Sequence, residues 1–192
     1  MTIAPPTSWP PVARDVDDLL AVLSASARGG EPADDGSRPL NQLEHGLQCA
    51  QLLQLTHPDD VELQVAGLLH DIGHTLAPGA VDLHGQIGAA WVEPLLGERV
   101  AALIRLHVPA KRYLVTVDPH YRDRLSAGSV RTLAVQGDEL VGTDLDAFES
   151  EPHHRAALVL RRADEGAKVA GIDAGRLADW VPPLRTVAGH PG

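Results

Sequence analysis

An all-α single domain is what this sequence predicts, on three observations. Only six of the 192 residues are aromatic, so a core must be built from Leu, Ala and Val, a composition that favours helices over sheets. From residue 41 onward the apolar residues recur at helical spacing, and no alternating stretch of useful length appears. The length suffices for one sizeable core and is short for two.

Taken in order, the chain opens with a proline-rich stretch through Pro11, expected to be irregular. "DVDDLLAVLSASA" has the apolar spacing of a short helix, with acids in the first turn where the helix dipole favours them. "RGGEPADDGSRPL", Arg28 to Leu40, is a loop by composition, of a length usually functional or disordered. The expected division is a flanking helix and loop over residues 1–40 and a helical core over 41–192. "NQLEHGLQCAQLLQL" begins with Asn41 as N-cap. "HPDDVELQVAGLLHDIGH" begins a helix with Pro58 near its first position. "HGQIGAAWVEPLLG" and "GERVAALIRLHV" read as two helices broken near Gly97, and "DPHYRDRL", "SAGSVRTLAVQGD" and "HHRAALVLRRADEGAKVAG" as further helical segments.

A net charge of -10 argues against a nucleic-acid or anionic-membrane surface, though not against a small anion held by a local field. Cys49 is the one cysteine, so no internal disulfide forms and a reducing cytoplasm is expected. No apolar stretch approaches 18 residues and the start lacks a signal-peptide core, so neither a membrane span nor export is expected. The expected state is a monomer or small homo-oligomer.

Chemistry concentrates at "ELQVAGLLHDIGHTL", where an apolar run ends in His70-Asp71. A carboxylate at the edge of a core needs a partner. His45, His70, His84 and His107 all sit among core-facing Leu, Ala and Val. Taken singly, each is better read as a satisfied core or surface histidine. Four inward histidines together with Asp71 and Asp164 would need too many separate hydrogen-bonding reasons. Adjacent helical residues lie about 100° apart, so His70 and Asp71 can converge on one metal at a helix end, and Asp71 has two oxygens with which to bridge two. Imidazole and carboxylate without thiolate suit a first-row transition metal rather than structural zinc. The His70-x-x-x-His74 pair mimics the HExxH metalloprotease motif, but Asp replaces Glu and Gly73 weakens the helix.

The order His45, His70-Asp71, Asp164 resembles the HD-domain superfamily, an all-helical bundle that binds metal through H…HD…D. The interposed His84 and His107 resemble its two-metal subset. "QLEHGLQCAQL", "LLHDIGH", "HGQIGAAWV", "RLHVPAKRYL" and "DPHYRDRLSAGSVRTLAVQG" are similar to the HD-domain mixed-valent diiron oxygenases, which cleave the carbon–phosphorus bond of 1-hydroxyalkylphosphonates. The resemblance covers about Gln42 to Gly171 and implies two irons, Fe(II) and Fe(III), with O2 as co-substrate. One iron would be held by His45, His70, Asp71 and Asp164, the other by His84 and His107 with Asp71 bridging. His74, Lys111, Ser129, Gln136 and Arg161 would contact the phosphonate of a small-molecule substrate. By spacing alone, Lys111 shares a face with His107 if the helix continues past Pro109, and Arg161 shares one with Asp164.

Relatives acting on an aminoethyl substrate carry a tyrosine and a glutamate where this chain has Asp35 and Arg38, ten and seven residues before His45. Asp35 would be a different iron cap, and Arg38 cannot bind an ammonium group. The expected substrate lacks that amine; alternatively Asp34 or Asp35 faces a cationic tail. Two other functions fit parts of the pattern: an HD-domain phosphohydrolase of nucleotides or phosphate esters, and a helical signalling module with a degenerate site.

Overall fold

The computed structural model describes residues 9–28 and 40–189, and no strand occurs among them. Asp34, Asp35 and Arg38 lie outside the described residues. The helices are α1 (Val16–Ser26), α2 (Gln42–Thr56), α3 (Val61–Leu69), α4 (Ile72–Leu76), α5 (His84–Val117), α6 (Tyr121–Arg124), α7 (Ala127–Val135), α8 (Thr143–Ser150), α9 (His154–Gly166) and α10 (Val181–Gly189), with a 3-10 turn at Leu177–Trp180. The all-α expectation is met.

The centre is a stack in which α3 and α9 pack against both α2 and α5. Leu53, Leu63, Leu69, Leu96, Leu103, Ile104 and Leu160 are wholly buried where these helices meet. At about 25 cal/mol per Å² of apolar surface removed from water, each such side chain contributes on the order of 2 kcal/mol. The first helix adds Leu19, Val22 and Leu23 to this same core. Residues before it are strapped to α5: Trp91 Nε1 donates to Pro10 O at 2.9 Å, and Ala13 N to Trp91 O at 2.8 Å.

Asn41 caps α2 as expected, its Oδ1 accepting from Glu44 N at 2.9 Å while the Glu44 carboxylate takes Asn41 N. This fixes the first turn of the helix that carries His45. A Cβ on Gly46 would lie 2.6 Å from the Leu68 carbonyl oxygen, so the close crossing of α2 and α3 needs a glycine there.

The segment "HPDDVELQVAGLLHDIGH" holds two helices, the first ending at His70-Asp71 as expected and a short second one following. Asp60, not the Pro58 region, starts α3, accepting from Leu63 N at 3.0 Å, and Arg99 clamps Asp60 and Glu62 from α5. The helix stops at Leu69, and His70-Asp71 form the junction before α4. Gly73 lets α4 seat its backbone on the start of α5, since a Cβ there would lie 2.0 Å from the His84 carbonyl oxygen.

The expected break is present: Gly97 (φ 83°, ψ 170°) is non-helical and divides α5 into two helices, the second of which runs through Pro109 to Val117. His107 and Lys111 therefore share a face. Two helices had no counterpart in the sequence reading. The eight-residue α8 buries only Phe148, and α10 begins Val-Pro-Pro and buries Leu184 and Val187. Each has too narrow an apolar stripe to stand out by periodicity.

Candidate metal centre and its cavity

Five elements bring six side chains together: α2 (His45), the α3–α4 junction (His70, Asp71), the start of α5 (His84), its second half (His107) and α9 (Asp164). They form two groups, His45–His70–Asp164 and Asp71–His84–His107. In the first, His45 Nε2 lies 3.2 Å from His70 Nε2 and 3.0 Å from Asp164 Oδ1. In the second, His84 Nε2 lies 2.9 Å from His107 Nε2. Asp71 faces both. Its Oδ2 is 3.5 Å from His70 Nε2 and 3.7 Å from His45 Nε2, whereas its Oδ1 is 3.3 Å from His84 Nε2 and 3.6 Å from His107 Nε2.

Backbone carbonyls fix which nitrogen of each ring carries hydrogen. The Nδ1 atoms of His45, His70, His84 and His107 lie 3.1, 2.8, 2.7 and 2.6 Å from the carbonyls of Ala167, Gly67, Val81 and Ile104. Each Nδ1–H donates outward, so each Nε2 lone pair points inward, the arrangement typical of metal-bound histidines. Two lone pairs at 2.9–3.2 Å repel unless a cation lies between them. Donors around one first-row ion, at bonds of about 2.0–2.2 Å, stand about 3.0–3.4 Å apart. The donor set therefore fits two metal ions joined by Asp71.

The electrostatics agree. Against the effect of burial, the charge of His70 holds the Asp71 carboxyl well below its usual range, and that of Arg161 does so for Asp164. Burial opposes a charge on His70, but Asp71 and Asp164 outweigh it and push it up to about 9. Burial pushes His107 down to about 4, and His74 likewise. The carboxylates thus call for positive charge, which a metal would supply in place of the His70 proton.

A cavity of about 660 Å³ opens over this floor. All five residues expected to contact a phosphonate, His74, Lys111, Ser129, Gln136 and Arg161, line it. His70 does not, being wholly buried behind the first group. His74 stacks on His84 with ring centroids 4.0 Å apart. Lys111 donates to Thr132 Oγ1 at 3.0 Å; burial, then the Arg161 charge, pushes it down to about 7. Gln136 donates Nε2 to Val81 O at 3.2 Å, leaving its buried Oε1 without a partner. Arg161 donates Nε to the Tyr121 hydroxyl at 2.9 Å and reaches Asp164 and Glu165 through its two terminal nitrogens. Leu40, Val81, Val108, Val169 and Ala170 give the cavity an apolar side.

Lys168 and Thr132 also line the cavity, and Glu165 stands behind it; the sequence reading named none of them. Spacing carried the signal, since Glu165 lies four residues after Arg161, Lys168 four after Asp164, and Thr132 three after Ser129.

A family model for the HD domain matches residues 42–165, the span that contains all six ligand candidates. The chain belongs to the HD-domain family. Within that family it is similar to hydroxymethylphosphonate dioxygenase of Gimesia maris, 38% identical over 160 residues covering 79% of each chain. It is also 31% identical, over 80% of its length and 83% of the relative's, to the glycine-betaine-forming [1-hydroxy-2-(trimethylamino)ethyl]phosphonate dioxygenase of Leisingera caerulea. An uncharacterized mimivirus protein is 33% identical over 67% of the chain and 63% of its own length. No helix among the described residues of this HD-domain protein is long and apolar enough to cross a membrane.

Proposed function

We propose that the protein is a dioxygenase that cleaves the carbon–phosphorus bond of a 1-hydroxyalkylphosphonate, holding two irons and using O2. The single observation that carries this is one carboxylate, Asp71, offering separate oxygens to two ligand groups on the floor of a cavity walled by cations. The two relatives named as phosphonate dioxygenases support the same chemistry. One O2 taken up by R–CH(OH)–PO3 dianion balances as a carboxylate plus dihydrogen phosphate, with no other reductant.

His45, His70, Asp71 and Asp164 would hold one iron, and His84 and His107, with Asp71 shared, the other. Bound iron supplies the redox capacity to activate O2. The second group brings only three protein donors, which leaves room for a substrate oxygen. Lys111 and Arg161, with Lys168, would draw the phosphonate to the wall; His74, Ser129 and Gln136 would fix its rotation, so that the 1-hydroxyl and C1 hydrogen face the floor. His74 and His107, neutral at pH 7, leave the bound oxygens to the metals and the cationic wall.

Among the described lining residues the only carboxylates are Asp71 and Asp164, both in the metal groups. A substrate without an amine is favoured by Arg38, which stands where relatives acting on an aminoethyl substrate carry a glutamate. The test is phosphate release and O2 uptake from a panel of 1-hydroxyphosphonates with iron. Equal release of phosphate and consumption of O2 is expected, fastest for compounds without an amine. No phosphate from this panel, with O2-independent release from a nucleotide or phosphate ester, would instead identify a phosphohydrolase.

A further inference from the structure

Glu165 follows Asp164 on α9 and has no surface on the cavity, yet every donor it engages does. Its carboxylate accepts from Ser126 N at 2.9 Å, Ser129 Oγ at 3.2 Å, Lys168 Nζ at 3.1 Å and Arg161 Nη2.

The hydrogen inventory shows what this does to the wall. Ser129 Oγ accepts from Lys168 Nζ at 3.0 Å and from Arg161 Nη2 at 3.4 Å, so its lone pairs are taken and its single hydrogen goes to Glu165. Four of the five guanidinium hydrogens of Arg161 are likewise engaged, by Tyr121, Asp164, Glu165 and Ser129. A phosphonate dianion can only accept. To be held by Ser129 it must take the hydrogen that Glu165 now has; at Arg161 one hydrogen is left over, and Lys168 Nζ faces Ser129, Glu165 and Asp164, so the guest competes for these donors beside a like charge.

We infer that Glu165 is the cavity's internal counter-anion, holding the wall's donors when the cavity is empty and competing with a bound phosphonate or phosphate for them. This rests on the phosphonate reading above. Its consequence is a weakened hold on anions, which favours departure of the phosphate product. A residue that merely braced the N-terminus of α7 through Ser126 N would do the reverse, and its loss would weaken anion binding.

The experiment is calorimetric titration of the iron-loaded protein with inorganic phosphate and with methylphosphonate, neither of which can turn over as a 1-hydroxy substrate. Glu165→Gln, with iron content matched to wild type, should bind both more tightly, by about tenfold for one charge removed close to the anion. In turnover the same variant should show kcat and KM falling together and stronger inhibition by phosphate. Unchanged or weaker anion binding by the variant overturns the inference and leaves the phosphonate reading standing. Failure of the wild type to bind either anion overturns both. If Glu165→Gln does not fold, a phosphate-soaked crystal of the wild type decides. Ser129 Oγ and Lys168 Nζ should have moved from Glu165 to the phosphate; phosphate bound with all four Glu165 contacts intact contradicts the inference.

Discussion

The floor and the wall of the cavity are built on opposite plans. On the floor, backbone carbonyls hold the Nδ1 atom of each of four imidazoles at 2.6–3.1 Å, so the donor directions are set by the main chain and do not depend on what is bound. On the wall, Arg161, Lys168, Ser129 and Glu165 hold one another through side chains, with one backbone donor, Ser126 N, to Glu165. Backbone-anchored donors suit metals, whose geometry must not change between turnovers. Exchangeable ion pairs suit a guest that has to enter and leave, because each contact it gains replaces one already present.

The contrast is most sharply broken at Asp71, the residue common to both metal groups. Asp71→Ala should leave less than one iron per chain by metal analysis and phosphate release below detection. His84→Ala removes a ligand from the second group alone; it should retain about one metal per chain and still lose phosphate release, and full activity would contradict a two-metal floor. Gly73→Ala attacks the floor's geometry without changing a ligand side chain. The added methyl meets the His84 carbonyl oxygen, and a cost of about 1–3 kcal/mol is expected, seen as a lower Tm together with lower iron content. The wall should respond to pH where the floor does not. Lys111, pushed down to about 7 by burial, loses its charge as pH rises through that value, so KM for the phosphonate should rise above pH 7, and Lys111→Gln should remove that part of the dependence. The linked stability has the other sign: the unfolded chain holds this proton up to the ordinary lysine range, so raising the pH from about 7 favours the folded state. The smallest effect is expected at Arg99, far from both regions, whose loss should cost about 1 kcal/mol and a few degrees of Tm with iron content unchanged.

The sequence made the floor more legible than the wall, for a physical reason. Metal ligands are scarce residue types, and four histidines buried among leucines stand out without any alignment. His70-Asp71 was visible as the end of an apolar helix, but the close seating of α4 on α5 was not, because it depends on Gly73 meeting His84 across eleven residues of sequence. The wall's Glu165 and Lys168 went unnamed in the sequence reading, and only their convergence on Ser129 from another helix gives them a role. α8 and α10 escaped notice because each buries only one or two apolar side chains.

Low-temperature EPR of the anaerobic, partly oxidised protein tests the central claim most directly, since it reads the number of irons, their coupling and the guest together. Expected is a coupled Fe(II)/Fe(III) signal that shifts when a 1-hydroxyphosphonate is added and vanishes in Asp71→Ala. An isolated ferric signal, or a coupled one indifferent to the phosphonate, would contradict it.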